Sequence, residues 1–245
     1  WFIDTATLMN PSLLYGQAIT RKVSGRGIGI IDMIQMVEVA QSVYVLEKAR
    51  QISDKDVIEI KNWFTQYLKW VTTHAYGIDE REAKNNHGTC WVMQVAVFAK
   101  LVGDTSLLSY CNNRFKTVLL PSQMAPNGSF PLEIKRTKPY GYSLFNLDAM
   151  VTLASVLSTQ KENLFDFIGT GNVSIRKGIE FMFPFIVNKA SWPYAKDVMY
   201  FDEWPVAPIA LLFGSKATNN AGWFDTWKKL EHFPTNEEII RNTPI

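Results

Sequence analysis

The sequence predicts an all-α protein, and three observations support that prediction. Apolar residues recur at intervals of three and four through most of the chain, as they do on one face of a helix. Alternating apolar and polar runs at hairpin spacing are sparse. Turn-forming residues separate the periodic segments at Asn127-Gly128, at Gly169-Thr170-Gly171 and at Asn219-Asn220-Ala221-Gly222. The residues alone fit a helix bundle, an irregular α-solenoid or an α/α toroid.

The predicted helices have recognisable apolar faces or ends. The first covers residues 31–50, where apolar and charged positions mix without strict alternation. The second begins after Ser53, a residue type that caps helices, and carries a single apolar stripe from Val57 to Val71. Further helices are predicted at 89–102 with Gly103 as its end, from Thr105 to a stop at Pro121, and at 144–158, 173–188, 205–213 and 222–230.

Bulk composition narrows the class of protein. The chain of 245 residues is long enough for a sizeable single core, and neither a linker nor a repeat divides it. The net charge of +2 predicts no general attraction to nucleic acid or to a membrane surface. No apolar run approaches the length of a membrane span, so membrane insertion is not expected. The two cysteines, Cys90 and Cys111, either form one bridge or stay reduced.

A polar run directly before the third predicted helix is the first candidate site. It reads Asn85-Asn86-His87-Gly88-Thr89. Polar side chains at a helix N-terminus lie beside free backbone N–H groups and the positive end of the dipole, which favours an anionic ligand. The alternative is that an asparagine only caps the helix and that His87 is merely exposed.

A basic and aromatic run between Glu133 and Ser143 is the second candidate site. Lys135, Arg136 and Lys138 concentrate positive charge, and an arginine can bind a carboxylate through two hydrogen bonds. Tyr140 and Tyr142 flank Gly141 in the same run. The alternative is a solvated basic loop whose tyrosines pack on the core.

Two further segments carry weaker indications. The glycine-rich run at 25–32 lacks the order of a dinucleotide-binding loop, but it can bring Arg26 close to an anionic ligand. Trp192 and Tyr194 either stack on sugar rings or pack in the core, as most aromatic residues do. The three histidines have no metal-ligand spacing, so neither a metal site nor a cofactor is predicted.

Several motifs, in order along nearly the whole chain, resemble the alginate lyase family of helical polysaccharide lyases. They are Met9-Asn10-Pro11, Tyr15-Gly16-Gln17-Ala18, the run at 25–32, Asn85-Asn86-His87-Gly88-Thr89, Arg136 with Tyr142-Ser143-Leu144-Phe145-Asn146-Leu147, and Arg241-Asn242-Thr243-Pro244-Ile245. The resemblance implies one domain over residues 1–245, an incomplete α/α toroid around a polysaccharide cleft. It also implies that the family's N-terminal helices are absent from this sequence.

The resemblance also implies roles for individual residues. Asn86 and His87 match the pair that neutralises the substrate carboxylate, Arg136 matches the arginine beside it, and Tyr142 matches the catalytic tyrosine, with Tyr140 as its rival. The residues expected to bind substrate are Asn85, Arg26, Lys138, Tyr140, Trp192 and Tyr194.

The implied function is cleavage of an acidic, uronate-containing polymer such as alginate by β-elimination, without a cofactor. An acidic polysaccharide is the expected partner, and the periplasm or the outside of the cell is the expected location. One alternative is an α/α-toroid glycoside hydrolase, which needs two carboxylates across the scissile bond. Its candidates are Glu133, Asp148, Asp202 and Glu203. The other alternative is a carbohydrate-binding helical protein without catalytic activity.

Overall fold

The fold is known from a computed structural model that describes residues 1–243. Those residues contain three isolated β-bridges and no β-strand, so the prediction of an all-α protein is confirmed. Pro244 and Ile245, which close the last of the family-like motifs, lie outside the described residues.

Twelve α-helices are assigned within residues 1–243. They are α1 (Met36–Lys48), α2 (Asp54–Thr73), α3 (Ala75–Arg81), α4 (Asn86–Val102), α5 (Thr105–Arg114), α6 (Leu120–Gln123), α7 (Pro131–Ile134), α8 (Pro139–Leu157), α9 (Ile175–Val187), α10 (Ile209–Thr218), α11 (Ala221–Trp227) and α12 (Glu237–Arg241). Short 3-10 segments occur at Gly27–Met33, Lys189–Ser191 and Phe201–Glu203, and one π-helical turn occurs at Phe115–Leu119.

Helices α4 and α8 form the centre of the protein and pack against each other. Nearly every residue of both helices is buried, which explains why they are apolar all round rather than on one stripe. Helices α1, α2 and α5 pack around α4, while α9 and α10 pack against α8. The first turn of α4 carries the polar residues of the first candidate motif. The second motif runs from α7 through the connecting segment into the first turn of α8.

The predicted helix at 144–158 begins five residues earlier, at Pro139. Proline is favoured in the first turn of a helix. The Asp197 carboxylate also accepts hydrogen bonds from the free backbone N–H groups of Tyr140 (2.7 Å) and Gly141 (2.9 Å). Because this acceptor comes from far along the chain, the local sequence did not reveal the start of the helix.

Other predicted bounds also need correction. The helix that was expected to stop at Pro121 continues to Gln123, because the π-helical turn before it changes the local hydrogen-bonding pattern. The helix predicted at 205–213 lies at Ile209–Thr218 instead. Helices α3, α7 and α12 were not predicted, since each is too short to show a hydrophobic period.

Cys90 and Cys111 are both free and buried, which settles the alternatives in favour of two separate thiols. Burial raises the pKa of the Cys111 thiol to about 12 and raises that of Cys90 well above its ordinary value. Within residues 1–243 no single helix is both long and apolar enough to cross a membrane, although the bent pair Gly27–Met33 and Met36–Lys48 meets those criteria together.

Candidate active site

A cleft of about 310 Å³ lies where the first turns of α4 and α8 meet. Five residues that the sequence singled out line it: Asn86, His87, Arg136, Lys138 and Tyr142. Gln17, Glu238 and Arg241 also line its walls. Residues that are about fifty positions apart in the sequence therefore share one concave surface, as a catalytic site requires.

His87 is held in one orientation from two sides. Asn85 caps α4, and its side-chain oxygen accepts a hydrogen bond from the backbone N–H of His87 at 3.2 Å. The His87 Nδ1 atom lies 2.7 Å from Oε1 of Glu80, a carboxylate of α3 that is almost fully buried. An ionised carboxylate only accepts, so Nδ1 carries the proton. The second ring nitrogen, Nε2, is left for a ligand in the cleft.

Glu133, on α7, connects two other residues of the cleft. Its carboxylate accepts the backbone N–H of Asn86 at 2.7 Å, the Asn86 side-chain amide at 3.4 Å, and Nη1 of Arg136 at 2.8 Å. Burial raises the pKa of Glu133, and the charge and hydrogen bond of Arg136 oppose that rise. The carboxylate fixes the position of Asn86, in the first turn of α4, relative to Arg136, in the segment between α7 and α8.

Tyr142 lies under two positive side chains. The Arg136 guanidinium carbon is 3.7 Å from the centre of the Tyr142 ring, and Lys138 Nζ is 5.1 Å from it. Such cation–π contacts orient both partners. Arginine has five N–H donors, and only one of them is used by Glu133, so a substrate carboxylate can be bound by the others.

A family model described as alginate lyase matches residues 1–192. The chain belongs to the alginate lyase family. Comparison with curated protein sequences gives no significant match. Solved structures of alginate lyases do resemble this chain.

An alginate lyase from Bacteroides ovatus is 30% identical over 100% of this chain, with a TM-score of 0.83. Alginate lyase A1-III from Sphingomonas species A1 is 13% identical over 82% of the chain, with a TM-score of 0.63. A variant of A1-III complexed with a tetrasaccharide is 13% identical over 89% of the chain, with a TM-score of 0.61. These likenesses confirm the predicted helical toroid. The chain spans 65%, 56% and 59% of those three proteins, less than two thirds of each.

Three aromatic residues expected to bind substrate do not line this cleft. Tyr140 is fully buried, and its hydroxyl donates to the carbonyl oxygen of Phe185 at 3.0 Å. Trp192 is buried against Tyr140, and the Tyr194 ring packs edge-on against Trp192. Burial also raises the pKa of Tyr140. Burial of Tyr140 and Trp192 conflicts with the expectation that they contact sugar, and with Tyr140 as the rival catalytic tyrosine. Tyr194 is exposed but does not line the cleft.

Arg26 and Asn85 support the cleft from behind rather than lining it. Arg26 donates to the carbonyl oxygen of Gln17 at 3.1 Å and to its side-chain oxygen at 3.2 Å, while Gln17 itself lines the cleft. The Asn85 side chain is used as the cap of α4. Both residues were expected to contact the substrate directly. Their side chains are instead used in these hydrogen bonds within the protein.

Sequence reasoning missed the acidic partners of the cleft. Glu80 is only seven positions before His87, but a helix break separates them, and nothing in the local pattern shows that the side chains meet. Glu238 and Arg241 lie on the short helix α12, about one hundred positions after Lys138. Among residues 1–243 there is no cluster of three or more His, Cys, Asp or Glu side chains that could hold a metal ion.

Proposed function

We propose that this protein is a polysaccharide lyase that cleaves a uronate-containing polymer such as alginate by β-elimination. The observation that carries the proposal is the convergence of Asn86, His87, Arg136 and Tyr142 on one cleft. These are a carboxylate clamp, an oriented imidazole and a phenol, the three parts that the reaction needs. Membership of the alginate lyase family and the likeness to alginate lyase structures support the substrate class.

The reaction removes the proton on C5 of a uronate and expels the oxygen on C4. The C5–H electron pair becomes the C4=C5 double bond, and the C4–O4 bond breaks with its electron pair leaving on O4. The C5 proton passes to a base, and an acid gives a proton to O4. Negative charge builds up on the carboxylate during proton removal, so fixed donors beside it lower the barrier. Asn86 and Arg136, held by Glu133, supply those donors.

Tyr142 and His87 divide the proton transfers according to the stereochemistry of the sugar. Where the C5 proton and O4 lie on one face of the ring, the Tyr142 phenolate removes the proton and the resulting phenol returns one to O4. Where they lie on opposite faces, Nε2 of His87 takes the C5 proton while Tyr142 protonates O4. Glu80 stabilises the imidazolium that then forms, because its carboxylate is 2.7 Å from Nδ1.

The hydrolase alternative receives no support from the positions of its four candidate carboxylates. Glu133 is buried behind Asn86 and Arg136. Asp148 is buried and accepts the backbone N–H of Ala210 at 2.9 Å. The remaining two, Asp202 and Glu203, are exposed in a 3-10 turn away from the cleft. None of the four lines the cleft, as glycoside hydrolysis requires.

The test is to incubate the protein with alginate and with other acidic polysaccharides and to follow the ultraviolet absorbance of the unsaturated product. We expect absorbance to rise with the wild type on at least one uronate polymer. Saturated reducing ends without absorbance would support the hydrolase, and polymer binding without any product would support the non-catalytic alternative. Because such polymers do not readily cross a membrane, we also propose a periplasmic or secreted location, which fractionation of producing cells tests.

A further inference from the structure

A second group of charges lies on the cleft wall next to the proposed catalytic residues. Glu238 of α12 forms ion pairs with both Lys138 and Arg241, the latter at 2.8 Å. All three side chains line the cleft. One carboxylate therefore holds two cations through its two oxygens, Oε1 towards Lys138 and Oε2 towards Arg241.

The Lys138 ammonium is fixed from several sides. Its side chain is only 12% exposed, and Nζ lies 5.1 Å from the centre of the Tyr142 ring and 5.5 Å from that of Tyr200. Tyr200 has a left-handed backbone conformation (φ 62°), which is uncommon for a residue other than glycine. A lysine restrained in this way has already lost most of its side-chain freedom before any ligand binds.

Helix α12 is anchored where it crosses the cleft wall. Asn236 caps it by accepting the backbone N–H of Glu238 at 3.0 Å, and the side-chain amide of Gln35 donates to the carbonyl oxygen of Arg241 at 3.1 Å. Partial burial disfavours the charged form of Glu238, but Lys138 and Arg241 outweigh it and hold the pKa of that carboxyl below its ordinary value. Glu238 is therefore an ionised carboxylate held against the cleft.

Every sugar of a polyuronate carries a carboxylate, so a cleft that clamps one at Arg136 must also accommodate its neighbour. We propose that Lys138 and Arg241 form a second carboxylate subsite, for the uronate next to the one being cleaved, and that Glu238 occupies this subsite in the free protein. The inference rests on the proposed function for the substrate class. A bound uronate carboxylate takes over the contacts of Glu238, so the protein's own acid weakens binding at this position.

The test measures binding of a saturated alginate tetrasaccharide by calorimetry in a Tyr142→Phe background, which prevents turnover. We expect Glu238→Gln to lower Kd about three- to tenfold, because both cations become available to the ligand. The matched control is Glu237→Gln, which removes the same charge from an exposed neighbouring position. A tetrasaccharide whose carboxyl groups have been reduced to alcohols should show no such gain.

Lys138→Met tests the other half of the subsite. Lys138→Met alone should raise Kd. Glu238→Gln should tighten binding less in the Lys138→Met protein than in a protein that keeps Lys138, because both substitutions remove the same contact between Lys138 and Glu238. Thermal unfolding followed by circular dichroism reports whether the Glu238 variant folds. If it does not fold, Arg241→Met tests the subsite on its own, and it should raise Kd because it removes the second cation.

The proposal is overturned if Glu238→Gln weakens binding, or if its effect equals that of Glu237→Gln. Its failure is distinguishable from failure of the lyase. If the wild type makes unsaturated product but Glu238→Gln does not tighten binding, only the subsite is wrong. If no acidic polymer is cleaved but the variant still binds the tetrasaccharide more tightly, the subsite stands and the lyase proposal fails.

Discussion

Two tyrosines that are only two positions apart give the sharpest test of the site. The change is the removal of one hydroxyl, as Tyr140→Phe or as Tyr142→Phe. Tyr142 lines the cleft under Arg136, whereas Tyr140 lies in the core with its hydroxyl bonded to the carbonyl of Phe185. We therefore expect Tyr142→Phe to lose catalytic activity and Tyr140→Phe to lose stability.

The expected magnitudes follow from those environments. Tyr140→Phe leaves a buried carbonyl oxygen without its donor, which costs about 2 kcal/mol of unfolding free energy. For a domain of this size that corresponds to a fall in Tm of roughly 4–8 °C. Tyr142 donates no side-chain hydrogen bond within residues 1–243 and is partly exposed, so its hydroxyl contributes little to stability. Loss of a general acid or base slows turnover by about 100-fold or more.

The assay pairs thermal unfolding by circular dichroism with the ultraviolet absorbance of unsaturated product under saturating polymer. Tyr140→Phe should have a lowered Tm. Its turnover, when measured well below that Tm, should be within about threefold of wild type, because the proton-transfer groups are unchanged. Tyr142→Phe should keep the wild-type Tm and lose its product signal. An active Tyr142→Phe protein, or a well-folded and inactive Tyr140→Phe protein, would refute the assignment of the catalytic tyrosine.

Three further predictions concern residues that do not line the cleft. Glu80→Gln keeps the size of the side chain but removes the charge beside His87, so the hydrogen bond between the two side chains weakens by about 1–2 kcal/mol. On a substrate that uses the imidazole as base, kcat/KM should fall about 5- to 30-fold. Unchanged kinetics would remove Glu80 from this role. Burial raises the pKa of Asp148 to about 7, so the folded protein binds an extra proton and the unfolding free energy falls by about 4 kcal/mol as the pH rises from about 4 to about 7. Urea unfolding at pH 5 and at pH 8 spans about 3 kcal/mol of this loss, and the difference between the two pH values should be smaller by about that amount in Asp148→Asn. A methyl group at Gly141 would lie 2.9 Å from the Asp197 carboxylate, so Gly141→Ala should lower the unfolding free energy by about 1–3 kcal/mol, and an unchanged Tm would contradict that close contact.

The sequence predicted the helices whose ends are marked locally. Ser53 accepts the backbone N–H of Asp56 at 3.1 Å and starts α2 where a capping residue was expected. Gly103 ends α4 in a left-handed conformation with φ 83°, as a glycine at that position predicted. The family-like motifs were equally local, which is why Asn86, His87, Arg136 and Tyr142 could be named without coordinates.

Prediction failed where a long-range contact decided the structure. Tyr140 was a rival to Tyr142 because both belong to the same short aromatic run. The Asp197 carboxylate extends α8 to Pro139, and residues two positions apart on a helix do not face the same side. Tyr140 therefore points into the core, whereas Tyr142 lines the cleft. A contact across about fifty-seven residues is invisible to any local pattern.

The cleft shows how a nearly neutral protein presents a site for a polyanion. His87, Arg136 and Lys138 each have an acidic partner, respectively Glu80, Glu133 and Glu238. The first two acids are almost fully buried behind the cleft and so orient the His87 imidazole and the Arg136 guanidinium without facing the ligand. Glu238 lines the cleft itself and stands where a ligand carboxylate would compete with it. The clamp residues lie in local motifs that the sequence displays. Glu133 belongs to the same run as Arg136, three positions before it, whereas Glu80 lies on α3 and Glu238 lies on α12. That separation explains why the clamp could be predicted and the roles of Glu80 and Glu238 could not.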